Sequence, residues 1–393
     1  MDLQSLVSSV ETYTRQRLPH YIEELRELCA IDSDSHYKPG LDLMADRFGE
    51  RMRKLGMQVT IVERDVWGND LVGSMQGEGS GNVLLLGHTD TVYPVGTATE
   101  RPVRIEGESV YGPGVCDMKG CILSALYAIE ALLAMGKRPF AELRFLCVSD
   151  EEILYRHSIE LIEGMCRDCQ GALVLEAARA NGDIVSARKG NAGYTLMAHG
   201  RPAHAGVEPE KGYNAITEIA HQVLQFQSLN GWREGITINP GRISGGTAIN
   251  VVPEHAQARF DLRYLHSGDR IETEARWHEM MKQQLVAGVE LTLEASPDSK
   301  EPMVRTPESL KLAQQAQEIA LMLGFSVNHV ATGGSSDASY VSHAGVPALD
   351  GLGPVGGLDH SPDEYLLVSS VAPRTALLAG LLATIGSADS CRN

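Results

Sequence analysis

Short apolar runs alternate with amphipathic patterns along the first half of the chain. Runs rich in β-branched and other apolar residues predict buried strands, whereas apolar residues recurring every three or four positions predict helices. The clearest predicted strands span residues 83–86, 143–148 and 172–175, and the predicted helices span residues 22–28, 40–54, 119–135 and 159–165. Such alternation is typical of a mostly parallel sheet with crossover helices. The pattern therefore predicts an α/β domain.

The pattern changes near Ser186 and returns to the first type after Pro297. Between these points the predicted order is a strand, a helix, three strands, a helix and a strand, at residues 193–198, 214–229, 235–238, 246–252, 256–264, 269–285 and 289–295. Apart from one extra short strand, this is the order of a ferredoxin-like α+β unit. A helix at 309–323, a strand at 348–351 and a helix at 372–385 then resume the α/β pattern. We therefore expect a discontinuous domain, residues 1–187 and 298–393, interrupted by an inserted domain, residues 188–297.

Composition and charge narrow the function classes. Of the 393 residues, 43 % are hydrophobic and 22 % are charged, which is ordinary for a soluble globular protein. The formal net charge of −17 disfavours binding to nucleic acid or to an anionic membrane. The N-terminal segment has no secretory-signal pattern, no apolar run has the length of a membrane span, and the seven cysteines form an odd set. We expect a cytoplasmic protein with reduced thiols.

Polar residues that can bind metal follow three of the predicted strands directly. His88 and Asp90 come after the strand at 83–86, residues 150–152 are an Asp-Glu-Glu triplet after the strand at 143–148, and Glu176 follows the strand at 172–175. Ligands of an open parallel sheet bind beyond the carboxyl ends of its strands. The three strands should therefore direct these side chains to one edge of the sheet.

Two further segments add metal-binding residues. Asp117 lies in a glycine-punctuated loop, residues 112–120, directly before a predicted helix, and His360 follows the strand at 348–351. Carboxylates that crowd together raise one another's pKa unless a positive charge compensates them. Mixed histidine and carboxylate ligands suit zinc, with cobalt or manganese as substitutes, and this many ligands favours a two-metal site.

These motifs together resemble the M20 family of metallopeptidases, and within it the glutamate carboxypeptidase branch. The resemblance runs in the family's order from about residue 20 to the end of the chain. It rests on His88, Asp90, the loop 112–120, residues 150–152, Glu176, His204, Asn250, residues 261–263 and His360. It implies a zinc-peptidase-type catalytic domain with a central, mostly parallel sheet, and an inserted ferredoxin-like domain that serves as a lid and a dimerisation domain.

The resemblance also implies a role for each residue of the metal site. It implies two zinc ions per subunit, one held by His88, Asp117 and Glu176 and the other by Asp117, Glu152 and His360. Asp90 would hydrogen-bond the far ring nitrogen of His88, and Glu151 would be the general base. In the family the peptide bond after the shared aspartate is cis, and here that bond joins Asp117 to Met118.

The inserted domain would contribute substrate-binding residues. The resemblance implies that His204 reaches into the active site of a partner subunit to stabilise the oxyanion, so we expect a homodimer. Asn250 and Arg263 would line the substrate pocket, and backbone N–H groups at Gly333 and Gly334 would help Arg263 hold a carboxylate. Taken without the resemblance, His204 equally fits an exposed loop residue. Arg259 lies on the same predicted strand as Arg263, and only motif position favours Arg263.

The sequence therefore predicts a di-zinc hydrolase that cleaves the amide bond of an N-acyl amino acid or a short peptide with a free carboxylate. The resemblance favours release of a C-terminal, glutamate-like amino acid, because Pro113 is more typical of the glutamate carboxypeptidase branch. The alternative is an N-acyl-amino-acid deacylase of the acetylornithine or succinyl-diaminopimelate type. A metal-free binding protein on the same fold is disfavoured, because every ligand and the base are present.

Overall fold

The computed structural model describes residues 1–153, 156–297 and 299–387. Internal contacts divide the chain into two compact units: unit 1, Met1–Ala187, Arg305–Ala331 and Ser336–Asn393, and unit 2, Arg188–Val304 and Thr332–Ser335. Each unit has its own hydrophobic core. The chain therefore enters unit 2 twice, first for residues 188–304 and then for the short loop 332–335.

The described helices and strands are named in chain order. The helices are α1 Leu3–Cys29, α2 Lys38–Lys54, α3 Thr97–Glu100, α4 Lys119–Ala134, α5 Ile159–Cys166, α6 Ala215–Gln227, α7 Ser267–Met281, α8 Pro307–Met322, α9 Ala338–His343 and α10 Val368–Gly386. The strands are β1 Gln58–Val62, β2 Asp70–Gln76, β3 Asn82–His88, β4 Arg104–Glu106, β5 Ser109–Tyr111, β6 Glu142–Val148, β7 Gly171–Val174, β8 Ile184–Arg188, β9 Gly190–His199, β10 Thr237–Gly245, β11 His255–Tyr264, β12 Glu290–Ala295, β13 His329–Thr332, β14 Ala348–Leu349, β15 Gly356–Gly357 and β16 Tyr365–Leu367. A short 3₁₀ helix spans Pro209–Lys211.

A six-stranded sheet with the order β1-β2-β6-β3-β7-β14 forms the centre of unit 1. The neighbouring strands β6, β3, β7 and β14 are parallel, and β2 runs antiparallel to both of its neighbours. The mostly parallel sheet predicted from the sequence is confirmed, and its three clearest predicted strands correspond to β3, β6 and β7. Because β3, β6 and β7 are parallel neighbours, their carboxyl ends lie at one edge of the sheet.

The predicted helices of unit 1 are present, and α10 has a feature that the sequence pattern did not reveal. By length and composition alone α10 could span a membrane, so the expectation that no segment has this property is wrong. Of its apolar window, 67 % is buried inside the fold, as in a core helix, and α10 packs against α1, α4 and α8. The buried Arg374 interrupts the apolar run and donates hydrogen bonds to the carbonyls of Gly353 and Gly351.

Unit 2 contains a four-stranded antiparallel sheet with the order β10-β11-β9-β12. With α6 after β9 and α7 after β11, the chain follows the ferredoxin-like order. Its core includes Trp277, which is fully buried and stacks on Phe226 with ring centroids 4.8 Å apart. The extra strand predicted at 246–252 is wrong, because β10 ends at Gly245 and the following residues form a turn that contains Gly246 at φ +74°.

The limits of the inserted domain, residues 188–297, stay a prediction. By its internal contacts, unit 2 continues beyond residue 297 to Val304. The reason is backbone pairing, since isolated antiparallel β-bridges join Lys300 to Asn191 and Met303 to Arg188.

Candidate metal centre

The edge of the six-stranded sheet brings together side chains from three strand ends of unit 1. His88 is the last residue of β3, residues 150–152 follow β6, and Glu176 follows β7. These strands form because apolar side chains bury both faces of the sheet, and the polar residues begin where that burial ends. The sequence alone predicted that the polar residues after these three strands lie at one edge of the sheet.

A small second sheet holds the other two segments, around Asp117 and His360. Its strand order is β15-β16-β5-β4, and β5 leads into the loop of Asp117, whereas β15 and β16 flank His360. Tyr365 of β16 pairs with Tyr111 of β5, so the two loops lie side by side. His360 has the left-handed backbone angle φ +63°, which non-glycine residues seldom adopt outside functional or strained sites. The peptide bond between Asp117 and Met118 is cis, as the resemblance implies.

Asp117 lies between the two histidines. Its Oδ1 atom is 3.1 Å from Nε2 of His88, and its Oδ2 atom is 3.2 Å from Nε2 of His360. Nε2 of His88 is also 3.8 Å from Oε1 of Glu176, and Nε2 of His360 is 3.1 Å from Oε1 of Glu152. The structure thus brings the two predicted ligand sets together, with Asp117 common to both.

The chemistry of these donors fits a divalent cation. Burial raises the pKa of Glu152 to about 7, and burial together with the charge of Asp117 raises the pKa of Glu176 well above its ordinary value. Hydrogen bonds to Asp117 and Glu152 raise the pKa of His360 to about 11. These shifts show that the negative charge of the site needs compensation at the positions where a cation would be bound. Ligand atoms of His88, Asp117 and Glu152 lie within 4.8 Å of one another, as a metal site requires.

Asp90 connects His88 to the loop that carries Glu151 and Glu152. Its Oδ1 atom is 3.3 Å from Nδ1 of His88, the ring nitrogen that faces away from Asp117. The same carboxylate accepts the backbone N–H groups of Glu151 and Glu152 at 3.1 and 3.0 Å, and the hydroxyl of Ser35 at 2.7 Å. Nδ1 of His88 is also 3.0 Å from the backbone carbonyl oxygen of Asp90. Asp90 thus orients His88 and holds the next loop at a fixed distance from it.

A second cluster, Asp70, Asp150 and His157, also has the composition of a metal site. Nδ1 of His157 is 3.0 Å from Oδ2 of Asp150 and its Nε2 is 3.9 Å from Oδ1 of Asp70. Both carboxylates already have a cation, since Arg64 lies 2.7 Å from Asp70 and Arg156 lies 3.1 Å from Asp150. This cluster is therefore a network of ion pairs behind the Glu151 loop.

The other predicted site residues belong to unit 2. Nε of Arg263 donates to Oδ2 of Asp261 at 2.8 Å, and Nη1 of Arg263 donates to the carbonyl of Gly333 at 3.5 Å. Arg263 is thus next to residues 332–335, the short loop that belongs to unit 2. His204 and Asn250 are exposed and lie on adjacent segments, because Ala205 donates its N–H to the carbonyl of Asn250 at 3.0 Å.

Comparison with known proteins identifies the family to which this centre belongs. Residues 84–384 match the family model "Peptidase family M20/M25/M40", which is more than half of the chain. The chain belongs to this family. The M20 resemblance inferred from the motifs is confirmed, and the protein is a metallopeptidase or amidohydrolase of the M20 type.

Proteins similar to this chain include both peptidases and a desuccinylase. Carboxypeptidase G2 of Pseudomonas sp. (strain RS-16) is 28 % identical over 378 residues, which cover 94 % of this chain and 90 % of that protein. A succinyl-diaminopimelate desuccinylase of Afipia carboxidovorans is 27 % identical over 330 residues, covering 78 % and 83 % of the two chains. The structure of aminopeptidase PepT from Bacillus cereus superposes with a TM-score of 0.77 at 22 % identity, covering 94 % and 98 %, and shows the shared fold.

Two residues of the M20 centre were missed in the sequence. Glu364 is buried and accepts N–H groups from the loop that carries Asp117. Arg156 is buried beside Asp150 and Glu151. Neither belongs to a ligand motif, and a lone Glu or Arg in a loop does not identify its partners. Arg156 follows closely after three consecutive acidic residues, which is consistent with charge balance but does not indicate which of them it contacts.

Proposed function

We propose that this protein is a di-zinc M20 hydrolase that cleaves the amide bond of an N-acyl amino acid or short peptide with a free carboxylate. It would release a C-terminal, glutamate-like amino acid. The observation that carries this proposal is the position of Asp117, whose two carboxylate oxygens face His88 and His360 at 3.1 and 3.2 Å. A carboxylate shared between two ligand sets is the arrangement of two-metal hydrolases.

The ligand assignment follows the donor atoms. His88, Asp117 and Glu176 would hold one ion, and Asp117, Glu152 and His360 the other, with cobalt or manganese as substitutes for zinc. When bound, the two ions would polarise the amide carbonyl and make the attacking water more acidic.

Glu151 is proposed as the general base. It is next to the ligand Glu152, and its backbone N–H is fixed by Asp90 at 3.1 Å. In this role the carboxylate of Glu151 takes a proton from the attacking water and passes it to the leaving amine. Asp90 would keep Nε2 of His88 facing the ligand site by occupying Nδ1.

Unit 2 is proposed to bind the substrate carboxylate. The guanidinium of Arg263 is about one third exposed, with 31 % of its side-chain surface accessible. It retains donors for a bidentate contact, and Gly333 and Gly334 add backbone N–H groups beside it. Asn250 is proposed as a further pocket residue. The proximity of Arg263 to Gly333 supports this group as a single subsite.

We also propose a homodimer formed through the inserted unit, in which His204 stabilises the oxyanion in the partner's active site. The exposure of His204 supports a role outside its own fold. A cytoplasmic location belongs to the same proposal. The six cysteines of the described part are free and buried, as is usual in a reducing compartment.

The second candidate function is an N-acyl-amino-acid deacylase. It is supported by the desuccinylases among the relatives, whose identity to this chain is nearly that of carboxypeptidase G2. The two candidates share the metal centre and differ in which side of the amide is recognised, so loop residues outside the centre decide between them.

A substrate panel distinguishes the candidates. The zinc-loaded protein is assayed with N-benzoyl-L-glutamate, L-alanyl-L-glutamate, N-acetyl-L-ornithine and N-succinyl-L,L-diaminopimelate. Release of glutamate supports the carboxypeptidase, and release of acetate or succinate supports the deacylase. A 1,10-phenanthroline-treated sample should be inactive and regain activity with zinc. Full activity after verified metal removal would contradict both candidates.

A further inference from the structure

Arg156 is a buried cation at the centre of a group of carboxylates in unit 1. Only 1 % of its side-chain surface is exposed. Its Nε and Nη2 atoms donate to Oδ1 of Asp150 at 3.2 and 3.1 Å, and its Nη2 donates to Oδ2 of Asp337 at 3.2 Å and to the hydroxyl of Ser158 at 3.0 Å. Its Nη1 contacts Oδ1 of Asp337 and lies 3.8 Å from Oε1 of Glu151.

These contacts join two segments that are distant in the chain. Asp150 and Glu151 lie in the loop after β6, and Asp337 is the residue before α9. The guanidinium also lies over the ring of Tyr340 in α9, 5.5 Å from its centroid. Because the fork of a guanidinium has a fixed planar geometry, contacts on two of its edges set the separation of the two segments.

The guanidinium of Arg156 compensates the negative charge of three carboxylates that have little contact with water. The carboxylates of Asp150 and Asp337 are almost fully buried, with 0 % and 3 % of their side-chain surfaces exposed, and that of Glu151 is 10 % exposed. Buried carboxylates at this density repel one another unless a cation lies among them. Asp150 also accepts the N–H groups of His157 and Ser158 and the hydroxyl of Ser158. Arg156 is the guanidinium that Asp150, Asp337 and Glu151 share.

Asp90 and Arg156 act on different parts of Glu151. The backbone of Glu151 and Glu152 is fixed by Asp90. The side chain of Glu151 extends from that backbone toward Nη1 of Arg156. Asp90 therefore sets where the residue lies, and Arg156 limits where its carboxylate can go.

We propose that Arg156 is a positioning residue that fixes the carboxylate of Glu151 by clamping the loop after β6 to the start of α9. The proposal rests on the role of Glu151 in the proposed function. Arg156 does not bind substrate itself, because its side chain is buried and its donors face Asp150, Ser158 and Asp337. A displacement of about 1 Å in a catalytic group is enough to reduce turnover about 100-fold, so the clamp would act on kcat.

The test uses three variants of the full-length, zinc-loaded protein. Arg156→Met removes the cation and keeps most of the apolar volume, and Arg156→Lys keeps the charge without the fork. Arg144→Met is the control, because Arg144 is a part-buried arginine that pairs with Glu142 at 2.8 Å and lies near the other end of β6, away from Glu151. Zinc content, Tm, hydrogen exchange by mass spectrometry, and kcat and KM with the best substrate of the panel are measured.

The expected result separates positioning from simple stabilisation. Arg156→Met should lower kcat about 100-fold with KM changed less than about threefold and zinc content unchanged, and Arg156→Lys should be intermediate. Hydrogen exchange should rise in peptides covering 149–158 and 336–343 and stay unchanged in those covering 110–118. Arg144→Met should lower Tm without lowering kcat.

Two outcomes would overturn the proposal. One is a kcat of Arg156→Met within about twofold of the wild type, and the other is unchanged exchange in both segments. Failure of the proposed function is recognised separately, because the wild type would then hydrolyse no member of the panel. In that event the exchange measurement alone decides whether Arg156 holds the loop.

Discussion

Oε1 of Glu364 accepts the backbone N–H of Asp117 at 2.9 Å, so a buried carboxylate holds the residue that faces both His88 and His360. Glu364 also accepts the N–H groups of Cys116 at 2.8 Å and of Gly114 at 2.9 Å. Burial raises the pKa of Glu364 to about 7, although these hydrogen bonds act in the opposite direction. The loop of Asp117 is therefore shaped around one acceptor.

Substituting Glu364 by Gln should weaken metal binding. The amide keeps the volume but has one acceptor oxygen for three N–H groups, so the loop would lose its fixed shape. Changes of this kind next to a ligand reduce metal affinity about 10- to 100-fold, and we expect that range for zinc. A competition titration with a chromogenic chelator measures it. Asp363→Asn, a substitution at the exposed neighbour, is the control, and equal zinc affinities of the two variants would refute the prediction.

Substituting Glu151 by Gln should abolish turnover without loss of metal. The amide cannot accept the proton of the attacking water, and general bases contribute about 10²- to 10⁴-fold to the rate. Kinetics on the panel substrate and zinc analysis of the same sample provide the measurement. If the variant retained more than about a tenth of the wild-type kcat, Glu151 would not be the base.

Substituting Arg263 by Ala should raise KM for substrates with a free carboxylate and leave kcat nearly unchanged. A charge-assisted contact of this kind contributes about 1.5–3 kcal/mol, which corresponds to an increase of about 10- to 100-fold in KM. Arg259→Ala on the same strand is the matched control and should leave KM unchanged. The opposite result for the two variants would assign the carboxylate to Arg259, the alternative that motif position disfavoured.

Zinc binding should release protons and strengthen as the pH rises. Hydrogen bonds to Asp117 and Glu152 raise the pKa of His360 to about 11. For His88, burial lowers the pKa, but Asp117 and Asp90 raise it well above its ordinary value. We therefore expect both imidazoles to be protonated at neutral pH in the metal-free protein and to lose those protons when zinc binds. Each imidazole belongs to a different proposed ion, so each ion displaces one imidazole proton and its apparent affinity should rise by about tenfold per pH unit between about pH 6 and pH 8. Protons displaced from Glu152 and Glu176, whose pKa values are also raised, make the rise steeper.

Calorimetry in buffers of different ionisation enthalpy measures this proton release. The apparent binding enthalpy should change in proportion to the ionisation enthalpy of the buffer. Binding with no buffer dependence would contradict the raised pKa values of the two histidines.

Periodicity and residue order by themselves determine much of this protein. Apolar runs predicted β3, β6 and β7, because a strand buried on both faces has a continuous apolar signature. The polar residues after each run predicted a common site, since parallel strands end at one edge. The order of elements also predicted the ferredoxin-like unit, apart from the extra strand at 246–252.

Tertiary structure alone decided which groups support the site. Glu364 and Arg156 act through contacts with residues that are close in space, and their neighbours in the chain give no indication of them. The antiparallel β2 was missed for a related reason, because pairing partners depend on the rest of the fold. The apolar length of α10 is a property of the sequence, and it was missed because the predicted helix, residues 372–385, was shorter than α10. Local patterns thus determine where the strands end and which polar residues follow them. The orientation of each of these side chains depends on long-range hydrogen bonds that only the folded chain forms.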